Sequence, residues 1–354
     1  MDYPRLSRPF VVKLIVSIIV LLLLLQYWLV EASWLRDFGR TPSFSPHQVA
    51  GNATLGFGAI LAVTPHSPPE RTSWRKAGMQ QAASFNGLNI GYPRQPQWNE
   101  SDLEQLAAKS PHGEPKGGAA KAWLGHLYTL QKATQYRTAL IFEDDVDWDV
   151  AIREQSVAVA EAIRDLTHPQ DDHHDNVLDE EGSDAPYGLA WDVLWLGHCG
   201  SSLPSGDDEA AQITSFTDTT LPPIVRTSIP QLLDNPTHQR YVYRAGSSIC
   251  SFAYAVTQTA AHFIVERASA GQAVAFDVWM HFVCERGELR CYAVNPELFH
   301  QHEMAGPHDS IINGVDQGTV VEARQTTKIR YSARCNADLG GSIEQPVTCS
   351  GEPA

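Results

Sequence analysis

Four acidic residues fall within five positions directly after an apolar run: Leu140-Ile141-Phe142 leads into Glu143-Asp144-Asp145-Val146-Asp147. The run reads as a buried strand whose carboxyl end opens into a polar crevice, the end at which open α/β sheets bind ligands. Carboxylates crowded there repel one another, by roughly 4 kcal/mol for a pair about 4 Å apart at an effective dielectric near 20. Protonation or a hard divalent cation relieves that repulsion. Mg²⁺ or Mn²⁺ held by one or two carboxylates is usually completed by substrate phosphate oxygens, so the acids predict a metal–diphosphate site. An acidic turn after a strand is the plain alternative.

The flanking elements must position this cluster. Gly58-Ala59-Ile60-Leu61-Ala62-Val63-Thr64 is a continuous apolar run, suited to a central parallel strand. Pro69 to Ala83 reads as a helix with Arg71 and Arg75 one turn apart on one face. A guanidinium suits phosphate, so these arginines are candidates to face an anionic ligand; a solvated helix face is the other reading. A second helix, Ala119 to Thr134, carries an apolar stripe of Ala120, Trp123, Leu124, Leu127 and Leu130, with His126 off it. The strand Thr138 to Phe142 follows, giving a parallel-type crossover. Trp191 to Gly197 is a third apolar run, with Gly197 ending it near the crevice. Ser248 to Val256 reads as a strand, Thr257 to Ser269 as a helix and Leu289 to Val294 as a strand, with Phe299-His300-Gln301-His302 beyond it. Strands alternating with helices predict an α/β fold with a mostly parallel central sheet.

Asp277 sits in Ala275-Phe276-Asp277-Val278-Trp279, a single acid among large apolar residues. Such a flank raises a carboxyl pKa towards the range useful to a general base; a helix N-cap before Val278 to Cys284 is the structural reading.

Among 354 residues, 43% are hydrophobic, enough to bury a core and to exclude wholesale disorder. The net charge of −15 is concentrated: Asp165 to Val225 holds 13 acids and no Lys or Arg. No basic patch points to nucleic acid. Within that stretch, residues 168–187 mix histidines, acids, Gly and Pro and read as a mobile surface insertion. The six cysteines lack paired C-x-x-C spacing, which argues against a zinc module and fits disulfides in an oxidising compartment. Cys284 and Cys291 flank a plausible hairpin turn and predict a local bridge; the other pairings stay open.

Phe10 to Val30 is a 21-residue apolar stretch preceded or entered by Arg5, Arg8 and Lys13. Its length matches a membrane span, and the basic flank keeps the N-terminus cytoplasmic. A cleaved signal peptide is the competing reading, but the run exceeds a usual h-region. Either way the bulk of the chain lies in the lumen or outside, in accord with the acceptor triplets at Asn52 and Asn99. The predicted plan is a cytoplasmic tail at 1–9, a transmembrane signal anchor at 10–30, a stem at 31–55, a catalytic domain at 56–335 and a C-terminal tail at 336–354.

In patches across residues 58–334 the chain resembles glycosyltransferase family 25, which includes lipopolysaccharide sugar transferases and collagen galactosyltransferases, and it looks most like the fungal membrane-anchored members. The segments are Pro69-Glu70-Arg71, Gly125-His126-Leu127 before Thr138 to Asp145, Asp192 to Gly200, Ala253-Tyr254-Ala255-Val256, Asp277-Val278-Trp279, His308 to Ile311 and Thr327 to Ser332. The resemblance implies a GT-A nucleotide-diphospho-sugar fold, a divalent metal at Glu143 and Asp145, and a nucleotide-sugar donor, often a UDP-sugar. The Ser of the family's Ser-His pair is absent here.

The resulting expectation is a single-pass type II membrane protein of the Golgi or endoplasmic reticulum. Its lumenal GT-A domain moves a sugar from a nucleotide-diphosphate donor to a glycan or protein acceptor. Asp145, then Glu143 and Asp147, are the candidate Mn²⁺ or Mg²⁺ ligands, with His300 or His302 completing the shell. Asp144 orients the donor, Arg71, Arg75 and Gly197 line its site, and Asp277 activates the acceptor. A metal-dependent phosphoester hydrolase and a non-catalytic lumenal binding protein of the same fold are the rivals.

Overall fold

The computed structural model describes residues 46–64, 69–110, 112–167, 185–202, 213–222, 238–270, 274–310 and 314–353. The predicted tail, the anchor at 10–30 and the stem up to residue 45 lie outside them, as does the insertion from 168 to 184.

After a 3-10 turn at Pro46–Gly51 come β1 (Ala59–Val63), α1 (Pro69–Asn86), β2 (Ile90–Gly91), α2 (Glu100–Ala108), α3 (Gly117–Ala133), β3 (Thr138–Glu143), β4 (Val146–Trp148) and α4 (Ile152–Thr167). Then follow β5 (Val193–Gly197), β6 (Gly200–Ser202), β7 (Ile213–Thr217), β8 (Gln239–Arg244), β9 (Ser247–Ile249), β10 (Ala253–Thr257), α5 (Gln258–Ala268) and α6 (Phe276–Glu285). The chain closes with β11 (Cys291–Asn295), β12 (Phe299–Glu303), β13 (Gly306–Ser310), β14 (Gly314–Val321), β15 (Gln325–Thr326) and α7 (Ala333–Leu339).

The protein is α/β with a mixed, mostly parallel sheet in the order β2-β1-β3-β10-β5-β11-β8-β7. β1 pairs in parallel with β2 and β3, and β5 with β11, while β10 and β8 run against their neighbours. The continuous apolar runs follow from burial on both faces. Leu61, Val63, Ile141 and Trp195 pack with Trp123 and Leu127 of α3, Ile264 of α5 and Trp279 of α6. Ile60, Ala62, Leu140, Phe142 and Leu194 turn to the other face, against Met79 of α1 and Val159 and Ile163 of α4. The acidic turn therefore sits on a strand locked between two cores, which leaves its carboxyl end little freedom.

The predicted strand from Ser248 to Val256 is broken in two. Cys250 takes a positive φ of 64°, and the chain turns there from β9 into β10. The described residues from Pro46 onward form one compact unit, in which Ala50 and Leu55, placed in the predicted stem, are buried. The predicted tail at 336–354 is tied down: Ser332 caps α7, Asn336 holds both the carbonyl and the amide of Val347, and Cys335 is bridged to Cys349. Cys284 is bonded to Cys291 as the hairpin spacing predicts, and Cys199 to Cys250, so all six cysteines are paired.

The Cys335–Cys349 loop spans 14 residues, for which chain entropy predicts about 3 kcal/mol of stabilisation. Replacing both cysteines by alanine should lower the urea-unfolding free energy by that order; an unchanged unfolding free energy contradicts the assignment.

Candidate functional site

β3 ends at Glu143, the chain turns through Asp144 and Asp145, and β4 leads it onto β12 in the register Val146↔Gln301, Asp147↔His300 and Trp148↔Phe299. The acids thus occupy the carboxyl edge of β3, but their side chains diverge. Asp144 and Asp145 are buried around Arg75, whose Nη1 lies 3.2 Å from Asp144 Oδ1 and 2.5 Å from Asp145 Oδ2. Arg334 backs the turn from the other side: its Nη2 donates to the Asp144 carbonyl at 2.8 Å and its Nε to the Val146 carbonyl at 2.9 Å. Both guanidiniums lie over the Trp74 ring. Arg75, expected to face an anionic ligand, instead grips the acids. Arg71 lies in α1, with its side chain outside the described residues.

This packing sets the charge states. Burial pushes the Asp144 carboxyl up, the neighbouring charge of Asp145 adds to that, and Arg75 offsets only part, leaving it at about 7. Burial also opposes the charge on Arg75, but Asp145 and Asp144 outweigh it and raise the guanidinium further. The repulsion anticipated from the sequence is thus met internally, by two arginines and one displaced carboxyl pKa.

Asp147 is completely buried and cannot serve as the predicted metal ligand, because its oxygens are occupied. Oδ1 accepts from the Trp148 and Arg334 amides at 2.8 and 3.1 Å. Oδ2 accepts from Thr326 Oγ1 at 2.6 Å and from Ser332 Oγ. Burial would raise this carboxyl, but His302, Arg334 and Ser332 outweigh it and hold it low. Asp147 is the bolt between β4, β15 and the cap of α7. His302 belongs to that bolt, with Nδ1 2.7 Å from Thr326 Oγ1 and 3.4 Å from Asp147 Oδ2. His300 turns away to Glu297, with Nδ1 2.7 Å from Oε1. In both histidines it is Nδ1 that meets these neighbours.

Glu143 and Asp145 are different. Glu143 Oε1 accepts from Ser251 Oγ at 2.7 Å, and Asp145 Oδ2 from Gln301 Nε2 at 2.8 Å besides Arg75. No described residue donates to Glu143 Oε2 or Asp145 Oδ1. Two carboxylates, each with an open oxygen, fit a hard cation that takes its other ligands from water and phosphate. No group of three or more His, Cys, Asp or Glu side chains converges as a metal cage among the described residues.

Behind Glu143 runs a buried chain that the sequence did not reveal. Ser251 Oγ lies 3.3 Å from His126 Nε2, and His126 Nδ1 lies 3.1 Å from the Tyr254 hydroxyl. One direction satisfies every atom: Tyr254 donates to His126, His126 to Ser251 and Ser251 to the Glu143 carboxylate. His126 is stacked on Phe276 at 4.8 Å, one residue before Asp277. Asp277 lies in the first turn of α6, whose N-cap is Ala275, so the capping alternative fails. Its Oδ2 instead accepts from the Cys250 amide at 2.9 Å, which brings it to the segment that carries Ser251. Gly197 is a packing residue: a Cβ there would lie 2.8 Å from the Phe299 carbonyl oxygen and 3.0 Å from the Ala253 nitrogen.

No protein-family model matches the chain, and no curated protein matches it in sequence.

Asp147→Asn should cost about 3–5 kcal/mol, since it leaves the buried Arg334 short of compensation; Glu143→Gln should leave the melting temperature near wild type. Equal losses in the two variants would contradict the division between bolt and open carboxylate. Glu297 supplies a pH test. Burial opposes its charge, but His300, His198 and Lys328 outweigh burial and hold it at about 2, against 4.5 for an ordinary glutamate. A depressed carboxyl pKa gives stability that is present above 4.5 and lost as pH falls towards 2, here roughly 3 kcal/mol. The difference in unfolding free energy between wild type and Glu297→Gln should shrink across that window; a constant difference would show that the carboxylate is not held ionised.

Proposed function

We propose that the chain is a type II membrane glycosyltransferase. In this reading a lumenal GT-A-like domain in the Golgi or endoplasmic reticulum transfers a sugar from a nucleotide-diphosphate donor, a UDP-sugar first, to a glycan or protein acceptor. One observation carries the reading. Two carboxylates with open oxygens, Glu143 and Asp145, stand at the carboxyl edge of a mostly parallel sheet, where such folds bind nucleotides. The order of motifs resembling glycosyltransferase family 25 supports it, and three disulfides fit an oxidising lumen.

Glu143 and Asp145 would hold Mn²⁺ or Mg²⁺. A bound cation of this kind neutralises charge on a departing diphosphate. The chain's own residues do the rest. Arg75 fixes the Asp145 carboxylate in one orientation with Gln301, and the Tyr254–His126–Ser251 chain fixes Glu143, so neither ligand has to be ordered on binding. Asp144 lies one residue from each and is assigned to the donor. Asp277 keeps its Oδ1 available while Oδ2 is held by the Cys250 amide, and it is the candidate base for the acceptor hydroxyl.

The test is a panel of nucleotides and nucleotide-sugars, with Mn²⁺ or with chelator, read by thermal shift. One donor should raise the melting temperature only with metal, and Glu143→Ala should abolish that shift without lowering the apo melting temperature. A panel in which nothing shifts, with or without metal, overturns the reading. Sugar released at the same rate without acceptor would mark a hydrolase instead.

A further inference from the structure

Two asparagines on the surface, away from the acids, are built to carry a covalent addition. Asn52-Ala53-Thr54 and Asn99-Glu100-Ser101 are the chain's Asn-x-Ser/Thr triplets without an intervening proline, which Asn235-Pro236-Thr237 has. Sequence alone makes such triplets candidates. A folded chain tolerates a glycan only where the asparagine nitrogen is reachable and holds nothing else together.

Both meet that condition. Asn52 is exposed in the turn before β1, where its Oδ1 accepts from the Thr54 amide at 2.8 Å and the Gly56 amide at 3.0 Å. Asn99 is exposed at the N-cap of α2, where its Oδ1 accepts from the Asp102 amide at 3.1 Å while Asp102 Oδ2 accepts from the Asn99 amide at 2.9 Å. In each case the oxygen holds the backbone, and Nδ2 donates to no described residue. Two buried asparagines without a triplet are used the other way. Asn86 donates from Nδ2 to the Val150 carbonyl at 2.7 Å, and Asn336 to the carbonyls of Ser332 and Val347 at 2.9 and 2.8 Å.

N-glycosylation replaces one hydrogen of Nδ2 and leaves Oδ1 an acceptor, so the turn at Asn52 and the cap at Asn99 both survive it. Asn52 also precedes β1, whose carboxyl end pairs Val63 with Glu143. The five residues of β1, at about 3.3 Å each, keep a glycan there clear of the acids. We propose that Asn52 and Asn99 carry N-linked glycans. The co-substrate is a lipid-linked oligosaccharide diphosphate. Nδ2 bonds to its anomeric carbon, the bond from that carbon to the diphosphate oxygen breaks, the polyisoprenyl diphosphate departs, and one amide proton passes to a base of the transferring enzyme. The proposal rests on the lumenal placement within the transferase reading and on nothing of its chemistry.

The experiment translates the full chain with sealed microsomes, digests it with an N-glycosidase and reads the change in gel mobility. Thr54→Val and Ser101→Ala each destroy one triplet while keeping the asparagine and the amides it holds. Wild type should lose both glycans on digestion, each variant one, and the double variant none. A wild-type chain whose mobility the glycosidase leaves unchanged overturns the proposal, and a single variant that still loses both glycans overturns the site it removes. Protease added outside the microsomes reads the compartment separately. A chain that is protected yet unglycosylated overturns the acceptor sites alone; one that is digested and unglycosylated overturns the lumenal placement with them.

Discussion

The site depends on a guanidinium wedged between two carboxylates. Arg75 holds Asp144 and Asp145 together at the end of β3, where without it their repulsion would splay the turn. Arg334, buried, braces the same turn through backbone carbonyls; burial holds its guanidinium below the ordinary arginine value, and Asp147, Asp145 and Asp144 offset only part of that. Buried charge of this kind contributes little net stability. What it contributes here is direction: Oδ2 of Asp145 is engaged inward, and Oδ1 is the oxygen left over.

Distant parts of the chain meet to make this wedge. Arg75 comes from α1, Gln301 and His302 from β12, Thr326 from β15 and Arg334 from α7, all closing on β4. The Cys335–Cys349 bridge and the cap by Ser332 hold α7 in place, so residues that look like a tail belong to the support of the acids. The same logic operates at Glu143. Ser251 and Tyr254 come from the segment around β10, a strand that runs against both neighbours and so brings its first residues, rather than its last, to the carboxyl edge.

That inversion explains what the sequence did and did not reveal. Local patterns are legible: the apolar runs of β1, β3 and β5, the stripe of α3, the hairpin bridge Cys284–Cys291 and the acids at a strand end all follow from neighbours in the chain. α4 was not foreseen: Ile152, Val159 and Ile163 do recur on one face, but Gln155 and Ser156 interrupt the buried stripe. Strand direction is also not local. A positive φ at Cys250 splits one apparent strand, and nothing in the residues around Ala253 states which way it runs. Asp147 and Asp145 are indistinguishable as letters, and only partners about 180–190 positions away, Thr326, Ser332 and Arg334, make one a bolt and leave the other an open ligand. His126 read as a structural helix residue; its link to Glu143 passes through a serine 125 positions on.

The finished edge has two unlike halves, separated by β10. Around β3 and β4 it is ionic, with carboxylates and guanidiniums in contact. Around β5, β11 and β8 it carries Glu297, met by His300 and Lys328. Ser251 and Phe252 stand between them: Ser251 touches Glu143, and Phe252 meets the His300 ring at 5.3 Å. Glu143 and Glu297 thus stand on opposite sides of β10 with unlike partners, a serine hydroxyl for the first and a histidine and a lysine for the second.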